Sequence, residues 1–235
     1  MQKILGYMRK AITIYEMLED GDKVGIGVSG GKDSVILLIG MAKLRKFIGI
    51  SFDIVAIIID PMFGNHNTDY TIVKNLCLEY NIKCIIEKTN IGPIVFDYRQ
   101  EKNPCSLCAR MRRGVLHDVA KREGCNKIAL GHHSDDWIET FIMNLFNEGR
   151  IGTFHPKTYL SIKEIYMIRP LIFIPEATIQ SVVKKLKIPI VKSKCPAEGK
   201  SKREWTKNYL KDLEIQIPDI KQKILGAIIR LYNQK

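Results

Sequence analysis

Ser29-Gly30-Gly31-Lys32-Asp33-Ser34 decides how this chain is read. The apolar stretch before it, Lys23 to Val28, has the length and composition of a short buried strand. The run after it, Val35 to Met41, reads as the first turns of a helix. A strand, a glycine turn and a helix start make an anion site. Free backbone N–H groups at the helix start converge there, and the helix dipole adds partial positive charge. Gly30 and Gly31 allow the backbone to approach a phosphate closely. Lys32 adds a full charge, and Ser29 and Ser34 add hydroxyl donors. Asp33 would repel a phosphate unless a cation lay between them, so it is read as a ligand for Mg²⁺. The spacing excludes a Walker A loop, because Lys32 is followed by Asp33 rather than Ser or Thr. Gly25 to Gly30 matches G-x-G-x-x-G by letter only. Its first glycine lies inside the strand, and no acidic residue follows at ribose distance.

Working outward, strands are expected at 23–28, 52–59, 81–87, 127–131 and 165–171. Helices are expected near 8–18, 33–46, 69–80, 105–124, 132–146 and 175–186. Strands alternating with helices imply right-handed crossovers and a doubly wound, parallel, five-stranded α/β sheet. Residues 1–190 form the main domain in this reading. Residues 191–235 form a short basic C-terminal segment. Ligands of such sheets bind at the carboxyl ends of the strands. The glycine turn, Asp60 after the second strand, and the Gly131-His132-His133 turn after the fourth are therefore expected on one edge. Asp60, Gly131 and His132 become candidate nucleotide contacts. Asp135 is the candidate base or Mg²⁺ ligand. His133 and Asp136 are equally open to a functional or a helix-capping role.

The chain has 235 residues, 46% of them hydrophobic, enough for a buried core. No apolar run approaches the roughly 20 residues of a transmembrane helix. The N-terminus lacks the apolar core of a signal peptide, so a cytoplasmic protein without structural disulfides is expected. The net charge of +12 suggests a polyanionic partner. Between Lys184 and Lys211 ten basic residues face only Glu198 and Glu204. Lys194, Lys200, Lys202 and Arg203 in that stretch, with Arg110 and Arg113 elsewhere, are candidates for holding a phosphate backbone.

Cys105-Ser106-Leu107-Cys108 is a CxxC at a helix start. The i, i+3 spacing puts both sulfurs on one face. The helix end and Arg110, Arg112 and Arg113 are expected to lower the thiol pKa values. A redox dithiol, half of a zinc site and part of an iron–sulfur cluster all fit a CxxC. No second CxxC or HxxxH follows to complete a zinc site. Cys77, Cys84 and Cys125 read as core or structural. Cys195, between Lys194 and Pro196 in a loop, does not. Cys105, Cys108 and Cys195 suit a [4Fe–4S] cluster with one iron unligated by protein.

Ser29 to Ser34 resembles the PP-loop of the ATP pyrophosphatases, which cleave ATP between the α- and β-phosphates and adenylate their substrates. Pro104 to Gly114, Ile128 to Asp136, Arg169-Pro170-Leu171 and Lys194-Cys195-Pro196 resemble, in order, the tRNA 2-thiocytidine synthetase family. That resemblance implies ATP, Mg²⁺ and a [4Fe–4S] cluster as cofactors. It also implies tRNA as substrate, and sulfide or a cysteine-desulfurase-derived donor as the sulfur source. The expected assembly is a homodimer. The reaction implied is thiolation of an anticodon-loop cytidine through an adenylated base. Lys32 and Asp135 would act at the nucleotide, and Arg112 would neutralise charge beside the cluster. The alternatives are a sulfur transferase for another nucleotide or small metabolite, a cluster-free PP-loop ligase, and a basic RNA-binding protein that only senses ATP.

Overall fold

The computed structural model describes residues 1–65, 68–99, 104–192, 194–197 and 202–233. Its sheet has six strands in the order β3-β2-β1-β4-β6-β5. β1 (Asp22–Gly27), β2 (Phe52–Asp60), β3 (Lys83–Lys88), β4 (Lys127–Ala129) and β6 (Ile165–Ile168) run parallel. These are the five strands expected from the pattern. The sixth, β5 (Lys157–Leu160), pairs antiparallel with β6 and corrects the strand count. It is short, half-exposed and at the sheet edge, so it carries no buried apolar run to announce it.

The centre of the sheet is buried on both faces, and β2 shows how. Ile54, Ala56 and Ile58 belong to one apolar cluster, while Val55, Ile57 and Ile59 belong to the other. Successive side chains of a strand point to opposite faces, so a continuous apolar run serves two cores. α1 (Gln2–Ile14), α2 (Lys32–Leu44), α3 (Thr71–Glu79), α5 (Ser134–Glu148) and α6 (Glu176–Lys185) contribute to the first. α2 is buried on nearly its whole circumference because it lies between the sheet and α1 and α6. α4 (Pro104–Arg122) and a π-helical turn at Pro93–Tyr98 cover the second face.

Gly27 sets the closeness of α4 to β1, and Gly25 lies under the end of Ile57 with Ala120 of α4 in ordinary contact range. A Cβ on Gly25 would lie 2.9 Å from Ile57 and 3.5 Å from Ala120 Cβ, and one on Gly27 would lie 3.1 Å from Leu116. These two glycines therefore serve packing, which explains the accidental G-x-G-x-x-G letters.

The C-terminal segment contains two helices, α7 (Lys202–Gln216) and α8 (Ile220–Asn233). Both pack on α5, and Leu210 and Ile228 join the first core. No described helix is long and apolar enough to cross a membrane. Strand order reverses between β1 and β4, which opens a crevice at their carboxyl ends.

Candidate functional site

The loop Ser29–Gly31 leaves β1 at that crevice and turns into α2. Ser34 Oγ donates to Gly31 O at 2.9 Å and accepts from Ser29 N at 3.2 Å, which closes the turn. Gly30 has φ +85°, a left-handed conformation that favours glycine. A Cβ there would also stand 2.7 Å from Val191 Cβ. Val191 N donates to Gly30 O at 2.9 Å. Val191, four residues before Cys195, is thus seated on the anion loop.

Asp33 Oδ2 pairs with Lys32 Nζ at 2.9 Å. Asp33 Oδ1 is buried and without a hydrogen-bond partner, 3.8 Å from His133 Nε2. An orphaned carboxylate oxygen beside an anion loop suits Mg²⁺. Lys32 Nζ also contacts Glu176 Oε1 at 2.9 Å. Burial opposes the Lys32 ammonium, but hydrogen bonds to Glu176 and Asp33 outweigh it and raise its pKa. Burial alone would raise the Glu176 carboxyl. Its hydrogen bonds to Lys207 and Lys32 prevail and hold it near 2. Glu176 was invisible to sequence reasoning. It looked like an ordinary acidic residue in the first turn of a helix.

A cavity of about 390 Å³ opens beside the loop, lined in part by Ser29, Asp33, Ser34, Gly131, His132 and Asp136, with Arg112 and Arg113 opposite on α4. Gly131 is pressed against the loop, since a Cβ would lie 3.1 Å from the Asp33 carbonyl carbon. Burial, with help from Arg169, pushes His132 down to about 4. Neutral His132 accepts from Arg169 Nε at 3.2 Å. Burial lowers Arg169 to about 10, which leaves it charged over Phe154. His133 and Asp136 form a reciprocal cap on α5: Asp136 N donates to His133 Nδ1 and His133 N to Asp136 Oδ2.

Asp135 is placed differently from the expectation of a base at the nucleotide. Its Oδ2 accepts from Glu176 N at 2.8 Å and its Oδ1 lies 3.7 Å from Lys221 Nζ, so it faces α6 and α8. It borders a small cleft with Glu139, Glu176, Lys207 and Lys221. Asp60 sits at the strand edge as expected, but its carboxylate accepts from Met62 N and Thr68 N and so shapes the loop that follows.

A second cavity, about 350 Å³, is lined by Cys105, Cys108 and Cys195 together with Phe63, Tyr70, Phe96, Lys192 and Lys194. Cys195, 87 positions beyond Cys108, therefore lines the same space as the CxxC pair. Among the described residues no three ligating side chains converge on a single-ion position. The thiols instead surround a volume fit for a larger group, with Arg112, Lys192 and Lys194 to balance its negative charge. Burial raises the Cys108 thiol, against the pull of Arg112. This corrects the expectation of a lowered pKa at Cys108, because that side chain is buried in the second apolar cluster. Cys77 and Cys84 hydrogen-bond to each other and line neither cavity. Ser29, Ala109 and Arg112 line both cavities.

Of the basic candidates, Arg110, Arg113, Lys194 and Lys202 are exposed. Arg203 instead bridges α7 to α5, with Nη1 at 2.9 Å from Asp136 and 3.3 Å from Glu139. Lys200 lies outside the described residues. Burial pushes the Glu139 carboxyl up to about 7, against Arg203.

The fold and the loop define a nucleotide-binding α/β protein with its anion site at the β1–β4 switch point and a thiol-lined cavity beside it. Residues 6–213 match the PP-loop domain family. The tRNA-cytidine(32) 2-sulfurtransferase of Pelobacter propionicus is 36% identical over 226 residues, which covers 95% of this chain and 83% of the relative. The same enzyme of Syntrophotalea carbinolica is 34% identical, covering 97% and 88%. The chain belongs to the PP-loop family and, within it, to the family of these sulfurtransferases. Its structure is similar to the U34-tRNA thiolase NcsA of Methanococcus maripaludis, solved with its [4Fe–4S] cluster. The TM-score is 0.80 at 28% identity, covering all of this chain and 79% of the other. Similarity to the NH3-dependent NAD synthetase of Campylobacter jejuni, TM-score 0.50 at 16% identity over 97% of this chain and 93% of that one, extends to the fold alone.

Proposed function

We propose that this protein is an ATP-dependent, iron–sulfur-dependent tRNA sulfurtransferase that replaces the C2 oxygen of an anticodon-loop cytidine, position 32, with sulfur. The observation that carries the proposal is the common wall. Ser29, Ala109 and Arg112 border both the anion-loop cavity and the three-thiol cavity. A base adenylated on one side of that wall lies next to a sulfur source on the other.

The amides at the α2 start, Ser29, Ser34 and Lys32 would bind the phosphates of ATP, and Asp33 would hold Mg²⁺. Attack of the cytidine C2 oxygen on the α-phosphorus releases diphosphate and turns that oxygen into a good leaving group. Cys105, Cys108 and Cys195 would hold a [4Fe–4S] cluster, which when bound supplies an iron open to sulfide. Arg112, on the common wall, would stabilise negative charge as AMP departs. Burial would keep His132 neutral, and Arg169 would fix its orientation against the nucleotide. The exposed Arg110, Arg113, Lys194 and Lys202 would position tRNA through its phosphates without reading sequence. Asp135 would orient α6, and through it Glu176, rather than touch the base.

A homodimer in the cytoplasm, fed by sulfide or a cysteine-desulfurase-derived donor, completes the proposal. The deciding experiment is nucleoside mass spectrometry of tRNA from a strain lacking this protein. Loss of 2-thiocytidine, restored by the wild-type chain, is expected; its undiminished presence would sink the named substrate. Release of AMP and diphosphate from ATP only when tRNA is present separates an enzyme from an ATP-sensing RNA-binding protein.

A further inference from the structure

Glu176 stands between two ammonium groups on separate elements. Its Oε1 lies 2.9 Å from Lys32 Nζ on the anion loop, and its Oε2 lies 2.8 Å from Lys207 Nζ on α7. Oε1 also accepts from Lys207 at 3.1 Å and from Gln180 Nε2 at 3.2 Å. The carboxylate is fixed in place as well as paired. Its side chain is only 12% exposed, and its backbone N–H is held by Asp135. α7 itself is anchored through Thr206 and Leu210, which are buried, and through Arg203 on Asp136 and Glu139. Lys207 therefore holds Glu176 from a fixed support.

Lys32 is the cation that the anion loop offers to phosphate. In this structure its ammonium is already paired with two carboxylates, Asp33 and Glu176. Asp33 has a further use as a Mg²⁺ ligand. Glu176 has none at the phosphates, where its charge is of the repelling sign. A carboxylate and a phosphate compete for the same donors on an ammonium. Two carboxylates already share the three N–H donors of Lys32, so incoming phosphate finds one donor left and the negative charge of Glu176 beside it. How strongly that charge opposes phosphate depends on what else satisfies Glu176.

We infer that Glu176 and Lys207 form a positioning pair for Lys32. Glu176 is an internal anion that competes with the nucleotide phosphates, and Lys207 lightens that competition by holding the carboxylate. This rests on the proposed role of Lys32 as a phosphate ligand. It adds two residues to the ATP site that contact no nucleotide, and it links nucleotide occupancy to α7.

The test measures affinity for the α,β-methylene analogue of ATP with Mg²⁺, by calorimetry on the full chain. Glu176→Gln removes the competing charge and is expected to tighten binding about three- to tenfold, equivalent to roughly 0.7–1.4 kcal/mol. Lys207→Met leaves Lys32 as the one ammonium on the carboxylate, beside the neutral Gln180 amide, and is expected to weaken binding by a similar factor. In the double variant Lys207→Met should have no effect, because the group through which it acts is gone. Lys207→Arg, which keeps the charge, should restore affinity. Damage to the fold would weaken binding in every variant, and thermal unfolding of each variant reports it separately. Weakened binding in Glu176→Gln, or additive effects in the double variant, would overturn the inference. If the wild-type protein fails to bind the analogue at all, the nucleotide reading falls first and the pairing falls with it.

Discussion

Val191 is hydrogen-bonded through its backbone N–H to the carbonyl of Gly30, and its side chain fills the space where a Cβ on Gly30 would be. The turn that would hold phosphate and Val191, four residues before Cys195, are therefore packed together. Gly30→Ala should place a methyl in a left-handed residue, costing about 1–2 kcal/mol, and add a clash with Val191. The expected outcome is a melting temperature lower by several degrees and loss of tRNA-dependent AMP release, with iron binding weakened as well. Unchanged iron content in a folded, nucleotide-dead variant would show that the two parts are independent.

Each of Cys105→Ser, Cys108→Ser and Cys195→Ser should abolish the brown chromophore on anaerobic reconstitution and reduce iron and acid-labile sulfide to background. Affinity for the ATP analogue should stay within about twofold, because no cysteine lines the nucleotide cavity. Cys125→Ser, in the apolar cluster under α4, should leave the chromophore intact.

Glu139 makes stability depend on pH in a direction unusual for a carboxylate. Burial raises its folded pKa to about 7, so the folded protein retains a proton that the unfolded chain releases. Its contribution to stability is full below the ordinary Glu value and is lost as pH rises through about 4.5 to 7, by an amount on the order of 2–3 kcal/mol. Glu139→Gln should remove this slope. Urea unfolding of both proteins between pH 4.5 and 7.5 measures it, and parallel curves would refute the assignment.

The basic residues should separate into two kinds. Lys194→Gln and Lys202→Gln should weaken tRNA binding uniformly and reduce the salt slope of log K by about one each. Arg203→Ala should instead lower the melting temperature and nucleotide affinity, since it detaches α7 from Asp136 and Glu139. Filter binding across a salt series, together with thermal unfolding, distinguishes them.

The parallel sheet was legible because each inner strand is a continuous apolar run between turn residues, as in Phe52 to Ile59. The anion turn was legible because its glycines and polar residues follow such a run directly. Strand β5 was not, since four half-exposed residues carry no period. Helix α7 lies inside the stretch read as a basic segment. Only Thr206 and Leu210 are buried among its lysines, too few to mark a face. Meeting of Cys105, Cys108 and Cys195 was inferable from residue type and resemblance. The common wall at Ser29, Ala109 and Arg112 was not, because it depends on how α4 lies across β1. The contact of Asp135 with Glu176 N, and the place of Asp136 both in the α5 cap and on the cavity wall, depend on which way each side chain leaves α5, which no sequence pattern reports.

Gly27 carries no chemistry, yet it decides how near the cysteine helix comes to the turn after β1. A methyl group at Gly27, 3.1 Å from Leu116, would act as a shim beneath α4. Such a change, at a position that also borders the anion-loop cavity, would press α4 away from the wall the two cavities share. Drift at that one strand position would thus disturb the shared wall while every candidate ligand stays in the chain.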